Sequence, residues 1–229
     1  MIGITFALPA ESSYLRRRVS EVRRAEDLFV GKIDNRDVAI LHTGVGAKNC
    51  NDRIETLLHK ARPRLVISSG FAGAVIDDVE IGDLILAENF SDRELLARAR
   101  QILRDRNPRV AKLFTSTSIV DSIAQRNEVA RASGADAVDM ETGAIVEVCR
   151  AHGVPMLSLR AITDSPSEPF PAPPSVLFDI ESQRTRFSRL LAYILRDPGS
   201  GWRLVRFGKR VARVRASLTD AIVALVKAI

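Results

Sequence analysis

Val38-Ala39-Ile40-Leu41 is a short apolar run that delivers Thr43-Gly44-Val45-Gly46 into residues 48–60, where Ile54, Leu57 and Leu58 share one helical face. A continuous apolar run suits a strand buried on both sides, and a small-residue turn into a helix is the building unit of a parallel sheet. Similar units lie on either side of it. Residues 1–8 form an apolar run stopped by Pro9, with Glu11 close behind. Residues 28–33 read as a strand closed by the turn cluster Asp34-Asn35-Arg36-Asp37, after a charged stretch over 16–27 of helical character. Residues 65–69 form a strand that opens into a second small-residue turn, Gly70-Phe71-Ala72-Gly73. Residues 84–88, 113–120 and 156–162 are further strands. Residues 92–106 form a helix striped by Leu95, Leu96, Ala99, Ile102 and Leu103, and residues 141–152 form another. The alternation predicts an α/β fold with a mostly parallel sheet covered on both faces. Ligands in such folds bind just past strand ends, which directs attention to residues 8–11, 43–46, 69–73 and 163–165.

At 229 residues, 46% hydrophobic and 27% charged, the chain has the composition of one soluble globular domain. It holds no run of about 18 apolar residues, and its N-terminus lacks the basic region and cleavage site of a signal peptide, so neither secretion nor membrane spanning is expected. Cys50 and Cys149 stand far apart without metal-ligand spacing, which argues against a disulfide framework or a zinc site and fits a reducing cytoplasm. The net charge of +6 has one source. Residues 198–229 contain seven Lys/Arg (Arg203, Arg206, Lys209, Arg210, Arg213, Arg215, Lys227) against Asp220 alone, and the remainder is neutral. The domain is expected to end near 196, with a basic amphipathic helical extension over 197–229, after a proline-rich stretch at 166–174 and a Gly/Pro break at Pro198–Gly201.

Several motifs have both a chemical and a structural reading. Gly44-Val45-Gly46-Ala47-Lys48-Asn49 fails the dinucleotide fingerprint at Asn49 and fails the Walker pattern around Lys48. It remains a turn where a ligand can approach backbone N–H groups, or simply a tight turn. Ser68–Gly73 offers amides to a base or anion, or serves packing. Asp139-Met140-Glu141 opens a helix, where an acid complements the helix dipole without further function. Asp164, beside Pro166, suits a turn or cap as well as a site.

Taken together, Thr43–Gly46, Ser69–Gly73, Ile81-Gly82-Asp83-Leu84, Val138-Asp139-Met140-Glu141-Thr142-Gly143-Ala144-Ile145 and Leu159-Arg160-Ala161-Ile162-Thr163-Asp164 resemble the nucleoside phosphorylase superfamily, and within it the methylthioadenosine/S-adenosylhomocysteine nucleosidases. The resemblance covers residues 1 to about 165 in consistent order. It implies a three-layer α/β/α fold with a mixed, mostly parallel central sheet, cleavage of the bond between ribose C1′ and a purine nitrogen, no metal or organic cofactor, and a homo-oligomer. By the same resemblance Asp164 protonates N7 of the leaving base, Glu141 holds the ribose hydroxyls, Met140 packs under the sugar, and Glu11 is the general base for water. Gly44, Phe71, Ala72, Gly73 and Val120 complete the expected substrate site.

Water is favoured over phosphate as nucleophile. Phosphorylases of the superfamily carry an Arg before the G-x-x-G turn, a Ser within it and an N-terminal Gly-Asp-Pro loop, whereas this chain has Ser68, Phe71 and Leu8-Pro9-Ala10-Glu11 there. Arg16, Arg17, Arg18 and Arg160 keep open an unorthodox phosphate site, in which inorganic phosphate would be a co-substrate; a non-catalytic nucleoside-binding or membrane-associated module on the same scaffold is the other alternative, against which the intact Glu11, Glu141 and Asp164 speak. Two departures bear on the substrate: Asn89-Phe90 passes almost directly into the Asp92 helix, and Ser118-Ile119-Val120 replaces the nucleosidases' Asp-Ala-Phe segment. The short 5′-side segment and basic tail resemble the hopanoid-associated phosphorylases, which implies a lipid-linked nucleoside such as adenosylhopane. For the tail from Trp202 to Ile229, three readings stand: a helix docked on the domain, a helix at the inner, anionic face of a membrane, or a nucleic-acid contact, the last disfavoured.

Overall fold

The computed structural model describes residues 1–25, 27–46, 50–170 and 198–229. The chain opens with β1 (Ile2–Phe6), wholly buried, then a single helical turn, α1 (Ser13–Arg16). β2 (Ser20–Ala25), β3 (Leu28–Ile33) and β4 (Arg36–His42) follow as an antiparallel run. Asp34 and Asn35, both at positive φ, form the two-residue turn between β3 and β4, the backbone that matches the twist of paired strands. Next come α2 (Cys50–Ala61), β5 (Leu65–Ala74), β6 (Leu84–Ala87), α3 (Arg93–Ile102), β7 (Arg109–Ala111) and β8 (Leu113–Thr115). The fold continues with α4 (Ile123–Ser133), β9 (Ala137–Asp139), α5 (Thr142–Ala151), β10 (Met156–Asp164) and α6 (Pro198–Ala228).

The sheet runs β2-β3-β4-β1-β5-β10-β6-β7, and β5 also pairs with β9, which pairs with β8. Its centre, β4-β1-β5-β10, is parallel throughout. Strand alternation sorts the apolar residues into two layers. Val38 and Ile40 join a core with α3 and the second half of α6, while Ala39 and Leu41 join a core with α2 and α5. The expected three-layer α/β/α architecture with a mixed, mostly parallel sheet is therefore the observed one.

Several local expectations are corrected. Residues 16–27 do not form a helix: beyond Arg16 the chain becomes β2, an exposed edge strand held by backbone pairing to β3. Its charged side chains suit an edge and carry no core signal. Gly70–Gly73 is not a turn but the continuation of β5 to Ala74, paired with β10 and β9. The strand predicted over 113–120 stops at Thr115, so Val120 lies beyond it. Helix α4 has no apolar stripe to announce it; the one residue it buries is Arg126. Pro198–Gly201 is the first turn of α6 rather than a break, proline being compatible with a helix start because its missing N–H has no partner there. Lys48, Asn49 and residues 171–197 lie outside the described residues.

The basic extension is an appendage in charge but not in packing. From Val214 onward, Leu218, Ala221, Ile222, Leu225, Val226 and Ile229 belong to the main core, whereas Trp202 and Val205 are 71% and 50% exposed. Leu225→Ala is accordingly expected to lower unfolding free energy by about 2–5 kcal/mol in urea denaturation. Val205→Ser should stay within about 0.5 kcal/mol of the parent.

Candidate active site

Three carboxylates reach one cavity from three parts of the chain. Glu11 follows β1: its Oε2 accepts from the backbone N–H of Leu8 at 2.8 Å and its Oε1 from that of Phe71 at 2.9 Å. These two bonds tie the loop after β1 to β5. Glu141 stands between β9 and α5 and accepts from the N–H of Gly46 at 2.9 Å, so the small-residue turn after β4 serves to present an amide. Asp164 is the last residue of β10. All three are buried, at 7%, 7% and 2% exposure.

The cavity, about 230 Å³, is lined by these carboxylates and a fourth buried acidic residue, Asp139, together with Leu8, Val45, Phe71, Ala72, Gly73, Val120, Met140 and Phe170, among others. Eight of the nine residues expected from the sequence thus meet in one place. Gly44 is the exception: it lines an adjoining cavity with His42, Arg16 and Arg53. Its successors Val45 and Gly46 make the contacts to the site. Among the described residues, no Lys or Arg lines the central cavity.

Glycine at two positions of β5 makes room for the acids. A Cβ on Gly70 would fall 2.9 Å from Glu11 Oε1 and 2.8 Å from Arg160 Nη1; one on Gly73 would fall 2.8 Å from Asp164 Oδ2 and 3.2 Å from Arg126 Nη1. At under 3.0 Å from Glu11, Arg160 and Asp164, such Cβ atoms would force these buried side chains to shift, so glycine at both positions lets the two carboxylates close onto the strand backbone.

Two buried guanidiniums balance the charge from behind the wall. Arg160, on β10, meets Asp139 at 2.8 Å and donates to Ser68 Oγ at 3.0 Å and Thr142 Oγ1 at 2.6 Å. Asp139 in turn accepts from Thr115 Oγ1 at 2.9 Å and the Thr142 N–H at 3.1 Å, so it satisfies the first amide of α5 as well as pairing. Arg126, from α4, is fully buried against Asp164 Oδ2, whose other oxygen accepts from Thr163 Oγ1 at 2.9 Å. Sequence reasoning missed Arg126, and an isolated arginine in a polar helix gives no signal of burial. Arg160 had been a candidate phosphate ligand, but it is engaged with Asp139. Arg18 pairs with Asp220 at 3.5 Å, Arg16 lies over the Phe29 ring at 4.1 Å, and Arg17 faces Tyr14.

Burial raises the proton affinity of all three acids. Desolvation pushes Glu11 up against the pull of the Leu8 and Phe71 amides and of Arg160. It pushes Asp164 up against the opposing pull of Arg126. Glu141 is pushed up to about 7, by burial first and by the Asp139 charge second. Raised proton affinity at a buried carboxyl favours its protonated, donor form, the state that a general acid requires.

The family described as the phosphorylase superfamily matches residues 2–92 and 88–196. The chain is 24% identical over 196 residues to a 5′-methylthioadenosine/S-adenosylhomocysteine nucleosidase of Staphylococcus haemolyticus, covering 72% of this chain and 86% of that protein. Among solved structures, the nucleosidase of Streptococcus pneumoniae with the transition-state inhibitor MT-ImmA superposes at TM-score 0.76, with 18% identity, over 99% of this chain and 98% of that one. Futalosine hydrolase of Helicobacter pylori superposes at 0.74, with 16% identity, over 100% and 97%. These two likenesses are of fold.

The Glu141 environment makes a prediction for stability. Its carboxyl holds a proton up to about pH 7 when folded but only to about 4.5 when unfolded, so it withdraws stability as pH rises between those values. Glu141→Gln, which keeps an acceptor for Gly46, should be more stable than the parent at pH 8 by about 1–3 kcal/mol. The difference should vanish near pH 4, as read by denaturant unfolding at both pH values.

Proposed function

The chain belongs to the phosphorylase superfamily, and from that premise we propose that it is a nucleosidase, releasing adenine from a 5′-modified adenosine with water as nucleophile. The observation that carries this reading is the cavity itself: three buried carboxylates converge on it, and no cation among the described residues lines it. Phosphate carries charge into its site and is normally gripped by guanidinium or amide donors. Glu11 occupies its two oxygens with the Leu8 and Phe71 amides, which a bound anion would otherwise claim. Water needs only a base.

In this reading each residue takes the role that the family resemblance implies for it. Asp164, protonated in its buried position, passes its proton to N7 of the purine as the C1′–N9 bond breaks and the bonding pair moves into the base. Glu141 accepts hydrogen bonds from the ribose hydroxyls, placing negative charge near the oxocarbenium-like C1′. Glu11 takes a proton from the attacking water. Met140 packs under the sugar, while Phe71, Ala72, Gly73 and Val120 surround the nucleoside. The residues supply the acid, the base and the electrostatics, and the scheme calls for no metal or organic cofactor.

A second reading concerns the 5′ substituent. Phe170 lines the cavity and stacks edge-to-face on Phe207 of α6, with ring centroids 5.7 Å apart. On the same half of α6, exposed Trp202 and Val205 stand among Arg203, Arg206, Lys209 and Arg213. Aromatic and basic side chains mixed on one helix suit an anionic bilayer surface. In this reading the substrate is lipid-linked and the enzyme works at the membrane face. No helix among the described residues is long and apolar enough to cross a membrane.

Adenine release from methylthioadenosine, adenosine and a long-alkyl 5′-adenosine analogue, with and without phosphate, tests the first reading. Turnover should be independent of phosphate and fall by roughly 10²–10⁴-fold in Asp164→Asn and in Glu11→Gln. Strict phosphate dependence would make the protein a phosphorylase and Glu11 a binding residue. For the second reading, anionic vesicles should raise turnover of the alkyl analogue, and Trp202→Ser with Arg206→Ser should remove the increase. Equal turnover with and without vesicles would sink it.

A further inference from the structure

Arg126 takes no part in the scheme just given, yet its surroundings are built around Asp164. It is the one residue that α4 buries, with no exposure, and it does not line the cavity. One end of its guanidinium donates to the Ala74 carbonyl at the end of β5, and the other to Asp164 Oδ2. Burying a guanidinium carries a large desolvation penalty before pairing is counted. A packing role alone would be served by an apolar side chain at the same position.

We infer that Arg126 is the positioning residue of the general acid, selecting which oxygen of Asp164 carries the proton and serving as counter-ion to the carboxylate that remains after transfer. This rests on Asp164 being the acid. A guanidinium has only donors, so the oxygen it faces, Oδ2, must stay free of hydrogen. When Asp164 is protonated the hydrogen therefore sits on Oδ1. That leaves Oδ2 anchored behind the cavity and Oδ1 as the oxygen available to N7, with Thr163 Oγ1 still donating to it.

Energetics point the same way. Burial keeps the proton on Asp164 but also makes it reluctant to leave. A cation fixed at Oδ2 lowers the free energy of the carboxylate formed as N7 takes the proton, without any reorganisation at that moment. The proton moves from Oδ1 to N7, the glycosidic electron pair moves to the purine, and the new negative charge on Asp164 is met by Arg126. Other charged groups near Asp164 are less direct. Arg210 of α6 pulls in the same direction but is paired with Glu168, and Glu11, Glu141 and the Arg160-paired Asp139 share the cavity.

The test compares wild type, Arg126→Met, Arg126→Lys and Asp164→Asn on two substrates. One is whichever adenosine derivative the wild type cleaves fastest. The other is the corresponding p-nitrophenyl riboside, whose leaving group departs without protonation at N7. Arg126→Met should lose on the order of 100-fold in kcat on the nucleoside with KM little changed, and lose little on the nitrophenyl riboside. Its alkaline limb in kcat should move up by about one pH unit or more, because the acid has lost its cation. Arg126→Lys should keep the wild-type limb and recover part of the rate. If Arg126→Met does not fold, Arg126→Lys carries the test: a loss confined to the nucleoside supports the inference. Equal losses on both substrates with unmoved pH limbs, in either variant, would reduce Arg126 to a structural prop and overturn it. Failure of the underlying reading shows separately, as no adenine release by wild type or undiminished release by Asp164→Asn.

Discussion

Burying three carboxylates around one cavity is costly, and much of the site's architecture meets that cost. Left alone, Glu11, Glu141 and Asp164 would each demand several kcal/mol of desolvation and would repel one another. Backbone amides of Leu8, Phe71 and Gly46 supply hydrogen bonds to two of them. Two arginines supply the charge. Both lie behind the cavity wall, Arg160 locked onto Asp139 and Arg126 onto Asp164, so among the described residues the cavity is bounded by acids, two hydroxyl side chains and apolar groups. The balance leaves the acids with raised proton affinity, which is a liability for stability and a resource for proton transfer.

β5 is the element that makes this arrangement possible. It pairs with β1 in its first half, with β10 from Val66 to Gly73 and with β9 at its end, so it links the parallel centre of the sheet to the segment that carries Asp139 and Glu141. Its sequence from Ser68 to Ala74 is small except for Phe71. Glycines at 70 and 73 let Glu11, Asp164 and both arginines press against its backbone, and the Phe71 amide points at Glu11. A strand that looks weak by propensity is retained because the carboxylates need the space its side chains would fill.

Helix α6 divides its labour along its length. Its last four turns seal the core formed by β1, β10 and α3, which makes the C-terminus part of the domain's stability. Its first half carries five of the helix's seven Lys/Arg together with exposed Trp202, and touches the rim of the cavity through Phe207 and Phe170. Core helix and basic face are thus one rigid element, so anything that binds the exposed half acts on a piece already fixed to the sheet and to the cavity rim.

Apolar runs and their spacing sufficed for the layered architecture, since a strand buried on both faces and a striped helix leave period-2 and period-3.6 marks that need no partner to be read. Glu141 and Asp164 were legible as candidates through the family-like runs that contain them, and Glu11 through its place after the first apolar run. Their convergence was not, nor was the role of Arg126, a lone arginine in a helix without an apolar stripe. Neither was the true course of Gly70–Gly73, where small residues that suggest a turn belong to a strand, nor that of β2, where a charged stretch pairs as an edge. In each case the deciding free energy comes from groups remote in sequence: the hydrogen bonds of a neighbouring strand, the volume of a carboxylate approaching a glycine, or the opposite charge of a buried acid. Such energies exist only once the chain has folded, so local pattern determined the layers while tertiary contact decided which residues share the cavity and which charges stand behind it.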